Sequence, residues 1–300
     1  MYREIGANKF KSVILLGCFL ILVILLGWGL SWYYESPVIL YFAVGISLIQ
    51  AWVGYFYSDQ VALAISGAKE APRKEPYLVL HREVENLAIT AGLVKPRVYV
   101  INDPAPNAFA TGRDSNHAAI AVTTGLLEQL DKTELEGVLA HELSHIGNYD
   151  IRLMSLVVVL VGMISLFADF FLRSLWWGGE RRNRESGGDQ FKLIALLVAA
   201  ILAPLAATLI QLAISRRREF LADATGSLMT RYPEGLASAL QKIATSPHRL
   251  ARLSSATSHL YIENPLTEEE EQSFFVKIFS THPPVKDRIK RLRAMINKSR

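Results

Sequence analysis

Two histidines four residues apart, with a glutamate directly after the first, are the residues in this chain best suited to chemistry: His141-Glu142-Leu143-Ser144-His145. On a helix, positions i and i+4 share a face, so both imidazoles can reach one metal ion. With seven histidines in 300 residues, chance would supply such a pentad on the order of once in a hundred chains. The competing reading, two histidines decorating a surface helix, is correspondingly weak.

Zinc suits the pair, because two neutral imidazoles and a carboxylate hold a redox-inert Lewis acid and leave a position open for water. Glu142 follows the first ligand and points beside the metal, where it can take a proton from water and pass it to the leaving amine. It is therefore read as the base. No further histidine follows at the longer spacing some zinc proteases use, so the third ligand must come from elsewhere, and Glu219 in Arg218-Glu219-Phe220-Leu221-Ala222-Asp223 is the choice. Asp223 is i+4 from Glu219 and shares its face, so it can accept a hydrogen bond from a liganding imidazole. On spacing alone, a solvated ion pair between Glu219 and the preceding arginines stays open.

These residues need elements to hold them, and the composition says those elements meet a membrane. Hydrophobic residues make up 51% of the chain and the mean hydropathy is +0.23. The apolar residues are concentrated in blocks at 13–34, 37–57, 153–172 and 193–215, each near the twenty or so residues a helix needs to cross the hydrocarbon. The first, second and fourth blocks carry no charge, while the third carries Asp169. The first follows Arg3, Lys9 and Lys11 like a signal peptide, but it is too long and has no small-residue cleavage site, so it reads as an anchor. Cys18, the one cysteine, lies inside it; a single cysteine makes no intramolecular disulfide.

The net charge of +4 and pI near 9.1 come with no nucleic-acid recognition motif. Membrane flanks explain them: Lys69, Arg73 and Lys74 follow the second block, and Arg216, Arg217 and Arg218 follow the fourth, as expected of segments facing anionic lipid. The expected organisation is an N-terminal membrane hairpin at 1–57, a first catalytic part at 58–152, a hydrophobic hairpin at 153–215 and a second catalytic part at 216–300. Four crossings would return both polar parts to the cytoplasmic side. Arg181, Arg182 and Arg184 in the loop then placed outside conflict with the positive-inside rule.

Within the first polar part, helical spacing of Leu80, Val84, Leu87 and Ala91 predicts a helix over 81–91. Arg97–Ile101 and 117–123 read as strands, with a candidate substrate-facing loop between them. Thr133 and Glu136 have capping-box spacing and predict a helix start ahead of His141. Val285, Ile289, Leu292 and Ile296 make an amphipathic stripe whose other face, Arg288 included, is naturally basic and solvated. His81, His117, His248 and His259 match no ligand spacing and read as structural.

Beyond the pentad, the sequence contains Asn107-Ala108-Phe109-Ala110-Thr111-Gly112, Val122-Thr123-Thr124-Gly125-Leu126-Leu127 and Ser280-Thr281-His282-Pro283-Pro284. With the Glu219 to Asp223 segment, these motifs make the chain resemble, over nearly its whole length, the HtpX family of membrane-bound zinc metalloproteases, more distantly related to CAAX prenyl proteases. The resemblance implies a gluzincin site with Glu219 as third ligand and one zinc ion per chain. It implies a bacterial inner-membrane protein with its catalytic domain facing the cytoplasm, cleaving misfolded or surplus membrane proteins and unfolded polypeptides in quality control. It further implies that Asn107, Ala108 and Phe109 bind substrate backbone, and that His282, with Arg288 beyond it, lies near the oxyanion.

The expected fold is therefore mainly α, a polytopic membrane protein with four hydrophobic helices and a zincin-like catalytic domain carrying a small β element. The expected partners are polypeptide substrates and the bilayer, with no nucleic acid. A non-catalytic zinc scaffold or chaperone would need a closed site of four ligands, and only three good ones are visible. A zinc transporter would place ionisable ligands within the spans, where three blocks have none. A prenyl-peptide protease would have more membrane helices.

Overall fold

The computed structural model describes residues 2–33, 35–177, 208–209, 215–251, 256–262 and 283–298. The chain enters as a helical hairpin, α1 (Tyr2–Tyr33) and α2 (Pro37–Phe56), turned at Glu35 with φ of 49°. Both are long and apolar enough to cross a membrane, and their outer faces show Trp28, Trp32, Tyr41, Phe42 and Ile49 uncovered by protein. They meet through small residues: Ala43 stands where a Cβ on Gly27 would lie, the close backbone approach that packs helices in lipid.

A short α3 (Ser58–Ile65), β1 (Lys69–Glu70) and α4 (Leu78–Ala91) lead into β2 (Arg97–Ile101), β3 (Ala108–Gly112) and β4 (Ala118–Thr123). The sheet order is β1-β2-β4-β3, with β2 and β4 parallel and the other two pairs antiparallel. The expected strands are present at Arg97–Ile101 and, shortened by one residue, at β4. The stretch read as a loop between them contains β3, a strand of small residues that supplies the sheet's edge. Its Ala and Gly content lowers strand propensity, but burial of all five residues against helices overrides it.

Every residue of β4 is buried because the sheet is covered on both sides. Ala119 and Ala121 join a core with Leu15, Phe19, Leu153, Val157 and Leu160 from the hydrophobic helices. Ala118, Ile120 and Val122 join the opposite core with Leu139, Leu143 and Leu240. Period-two alternation thus feeds two cores, and the strand reads as one apolar run.

After α5 (Thr124–Gln129) come α6 (Lys132–Gly147), which carries the pentad, and α7 (Asp150–Trp177), which takes up the block expected at 153–172. The two helices bend by 84° at Tyr149, whose φ is 60°. The first turns of α7 are buried within the protein from Ile151 to Leu160, apart from Arg152, in a cluster shared with Leu15, Phe19 and Val23 of α1. Nearly all of 193–215 lies outside the described residues. Then follow α8 (Arg216–Thr230), α9 (Pro233–Ala244) and α10 (Val285–Lys298).

The capping box expected from Thr133 and Glu136 is formed two residues earlier. Asp131 accepts from the backbone N–H groups of Thr133 at 2.9 Å and Glu134 at 3.0 Å, and Glu134 returns a bond from the Asp131 N–H at 2.9 Å. A carboxylate is the stronger acceptor, and Thr133 donates its own hydroxyl to it at 2.8 Å. Glu134 also takes Ser238 Oγ at 2.7 Å and Lys242 Nζ at 2.6 Å from α9, so the cap doubles as a tie between helices.

Candidate metal centre

The pentad helix is buried on all sides, from Leu135 to Ile146 apart from the half-buried Glu136. Its closest partner is α8, reached through a glycine: a Cβ on Gly226 would stand 2.9 Å from the His141 backbone nitrogen. That approach brings Glu219 and Asp223, one turn apart on α8, against the two histidines.

His141, His145 and Glu219 present converging ligand atoms. The two Nε2 atoms are 3.2 Å apart, His145 Nε2 is 3.5 Å from Glu219 Oε1, and His141 Nε2 is 3.7 Å from Glu219 Oε2. Nitrogen ligands about 2.05 Å from a tetrahedral zinc would be separated by about 3.3 Å. The triangle therefore has the size of a zinc coordination face. The three residues read from the sequence as ligands, 78 positions apart at their extremes (219 − 141), lie together in the fold.

Each imidazole is held from behind. His141 Nδ1 lies 3.0 Å from Asp223 Oδ1, and His145 Nδ1 lies 3.0 Å from Asp150 Oδ2. An ionised carboxylate only accepts, so in the neutral form that ligates a metal both Nδ1 atoms carry the hydrogen and both Nε2 lone pairs turn inward toward the same point. Asp223 was expected in this place. Asp150 was not: it begins α7 across an 84° bend, and no helical spacing relates it to His145.

Arg288, which the amphipathic stripe puts on a solvated face of α10 and the resemblance puts near the oxyanion, is fully buried, with 0% of its surface exposed; the solvated reading is overturned. Its Nη2 and Nε donate to Asp223 at 2.7 and 3.0 Å, its Nη1 donates to the Ile262 carbonyl at 2.9 Å, and its Nη2 comes within 3.4 Å of His141. A buried charge needs hydrogen-bonded partners, and Asp223 with Ile262 supplies them. His282 lies outside the described residues.

The electrostatics favour a cation. Burial works against charge on Asp223, but Arg288 and His141 outweigh it and hold the carboxyl at about 2. Burial likewise disfavours charge on His145, yet the Asp150 hydrogen bond and the Glu219 carboxylate lift the imidazole to about 9. Glu142 moves the other way: desolvation pushes its carboxyl up, against the opposing pull of the histidines and a hydrogen bond from the Ala110 N–H on β3. The carboxylates of Asp150, Glu219 and Asp223 face the guanidinium groups of Arg218 and Arg288, and the Glu142 carboxyl lies beside Glu219 and the two histidines. A divalent cation restores the balance. Donor set, spacing and charge all fit a metal ion.

The sequence pattern of peptidase family M48 matches residues 73–296, a range that contains the whole triad. The chain belongs to peptidase family M48. Among curated relatives, the "Protease HtpX homolog" of Tropheryma whipplei (strain Twist) is 46% identical, with 99% of each chain covered. That of Caldanaerobacter subterraneus subsp. tengcongensis is 44% identical over 98% of each, and that of Dictyoglomus thermophilum 43% identical over 98% of this chain and 94% of its own. The crystal structure of S. mikatae Ste24p aligns with a TM-score of 0.49 and 18% identity, covering 97% of this chain and 67% of that one. As an M48 member with HtpX protease relatives over its full length, the chain is a membrane metalloendopeptidase.

The substrate-side residues are placed less openly than the motif suggests. Asn107 is buried, its N–H donating to Thr123 Oγ1 at 2.9 Å. Phe109 is fully buried with its ring edge-on to Tyr261 at 5.2 Å, so its side chain is closed to a peptide. The Ala108 carbonyl accepts the Ile262 N–H at 3.0 Å. Among the other histidines, His81 Nε2 reaches the Ala71 carbonyl at 3.0 Å and His259 Nε2 the Met154 carbonyl at 3.1 Å, which suits a structural role.

Proposed function

We propose that the chain is a zinc endopeptidase of bacterial protein quality control, holding one zinc ion through His141, His145 and Glu219 in a zincin-like domain. The observation that carries this is the triangle of inward-turned ligand atoms at 3.2, 3.5 and 3.7 Å. Bound zinc supplies a Lewis acid for the scissile carbonyl and makes a water acidic enough to attack. Glu142, one residue past the first ligand and desolvated, accepts that proton and returns it to the leaving amine. Asp223 holds His141 in the liganding tautomer, and Arg288 holds Asp223. His282 donates to the oxyanion, and Arg288 keeps that side of the site positive.

Substrate enters as an extended strand beside β3, whose backbone at Asn107, Ala108 and Phe109 flanks Glu142 through Ala110. Its class is misfolded or surplus membrane protein and unfolded polypeptide. The membrane hairpin, with 153–172 and 193–215 as third and fourth spans, holds the catalytic domain on the cytoplasmic side of the inner membrane. Cleavage of an unfolded model protein by wild type and Glu142→Gln, each with bound zinc quantified, tests the reading. Cutting by wild type alone, with about one zinc on each protein, is the expected result. Full activity of Glu142→Gln, or no dependence of cutting on a chelator, would overturn it.

A further inference from the structure

Asn8 sits on α1, at the end of the helix that enters the membrane hairpin, yet only 1% of its surface is exposed. Its side-chain nitrogen donates to Asp150 Oδ1 at 2.7 Å and to the Asn148 carbonyl at 3.2 Å. Both partners are acceptors, which fixes the amide nitrogen toward them. The other oxygen of Asp150 faces His145 Nδ1 at 3.0 Å, and Arg218 Nη1 lies 3.7 Å from Oδ1. Asp150 is thus the meeting point of the first membrane helix, the pentad helix and the helix of Glu219.

We infer that Asn8 is a positioning residue of the metal centre: through Asp150 it fixes His145, so the first membrane helix completes the site that it anchors. This rests on His145 being a metal ligand. A carboxylate with one oxygen on a liganding imidazole can still rotate, and the imidazole rotates with it. The Asn8 amide holds the second oxygen and the Asn148 carbonyl at the α6–α7 bend at once, so neither the carboxylate nor the bend is free to turn. Partners that orient liganding histidines in this way contribute about 10- to 100-fold to metal affinity. A residue acting through such a partner contributes a part of that.

The decisive measurement is the zinc dissociation constant of the full-length chain in detergent, by competition with a chromophoric chelator, for Asn8→Ala, Asp150→Asn and the double variant. Asp150→Asn is expected to weaken zinc about 10- to 100-fold and Asn8→Ala roughly three- to tenfold. The double variant should be no weaker than Asp150→Asn alone, because Asn8 acts only through Asp150. Ser12→Ala, one turn along α1 where the hydroxyl bonds the Asn8 carbonyl at 2.9 Å, should leave zinc affinity unchanged. Wild-type affinity in Asn8→Ala, or losses that add in the double variant, overturn the inference, and so does an equal loss in Ser12→Ala, which would mark a general loosening of α1. If Asn8→Ala does not fold, Asn8→Asp, which sets a like charge against Asp150, must weaken zinc at least as much. His145→Ala separates the two levels: retained zinc there sinks the metal assignment itself, whereas lost zinc there with an unaffected Asn8→Ala sinks only the role of Asn8.

Discussion

At the scale of single residues, the site divides between groups that would touch the metal and groups that decide where those point. Glu142→Gln keeps size and shape but removes the base, so turnover should fall by at least the 10²- to 10⁴-fold that general-base catalysis contributes, with zinc content unchanged by elemental analysis. Asp223→Asn keeps the shape of the contact with His141 but not its charge. Against the opposing effect of burial, Arg288 and His141 hold Asp223 near pKa 2, so the wild-type carboxylate stays ionised across any working pH, and its loss should show at every pH. Zinc affinity should drop about 10- to 100-fold, read by chelator competition, and the Arg288 guanidinium, buried with 0% exposure, would lose its charge partner. Retained affinity in Asp223→Asn would mean that His141 is oriented by something else.

At the scale of elements, the contact between α6 and α8 decides whether the ligands meet. Gly226 makes it possible, because any side chain there would meet the His141 backbone at 2.9 Å. Gly226→Val should push α8 away and separate Glu219 from the histidines. The expected result is loss of zinc together with a lower melting temperature, of the order of the 1–3 kcal/mol that overpacking costs; a stable protein with full zinc would contradict it. The tie between α6 and α9 gives a pH signature. Burial would raise the Glu134 carboxyl, but the bonds from Lys242, Ser238 and the Asp131 N–H hold it below the usual 4.5. A depressed folded-state pKa means that the contribution is present above pH 4.5 and is lost as pH falls through the lowered value. Melting curves should therefore show Glu134→Gln less stable than wild type at neutral pH, with the gap closing in acid. Sequence made parts of this layer legible: the pentad and the Glu219–Asp223 pair carry their helical spacing in plain view. Asp150 and β3 were hidden for physical reasons, one lying beyond an 84° bend that no periodicity spans, the other built of small residues whose strand character comes from burial.

For the whole molecule, the question is which side of the membrane the metal centre faces, and the packing restricts the answer. Asn8 on α1 touches Asp150, and the cations of Arg113 and Arg152 lie over Phe56 and Tyr55 at the end of α2, 5.2 and 5.8 Å from the ring centres. The catalytic core therefore sits at the open end of the hairpin, opposite the Glu35 turn. Hydropathy revealed this hairpin from sequence because apolar length needs no tertiary context, whereas the fate of 153–172 was not legible, since the start of α7 is apolar for the sake of the protein core. The positive-inside rule pulls in two directions: Lys69, Arg73 and Lys74 favour a cytoplasmic core, while Arg181, Arg182 and Arg184 resist an outer loop. Replacing Cys18, the one native cysteine, by serine and adding single cysteines at Glu35, Lys69 and Arg184 separates the cases by labelling intact cells with an impermeant maleimide. Labelling of Glu35→Cys and Arg184→Cys from outside, with Lys69→Cys reached only after permeabilisation, is the result four crossings require. Protection of Arg184→Cys alongside Lys69→Cys would leave two crossings and make the segment after α7 a cytoplasmic or re-entrant arm. Labelling of Lys69→Cys on intact cells would invert the protein and place its peptidase site outside.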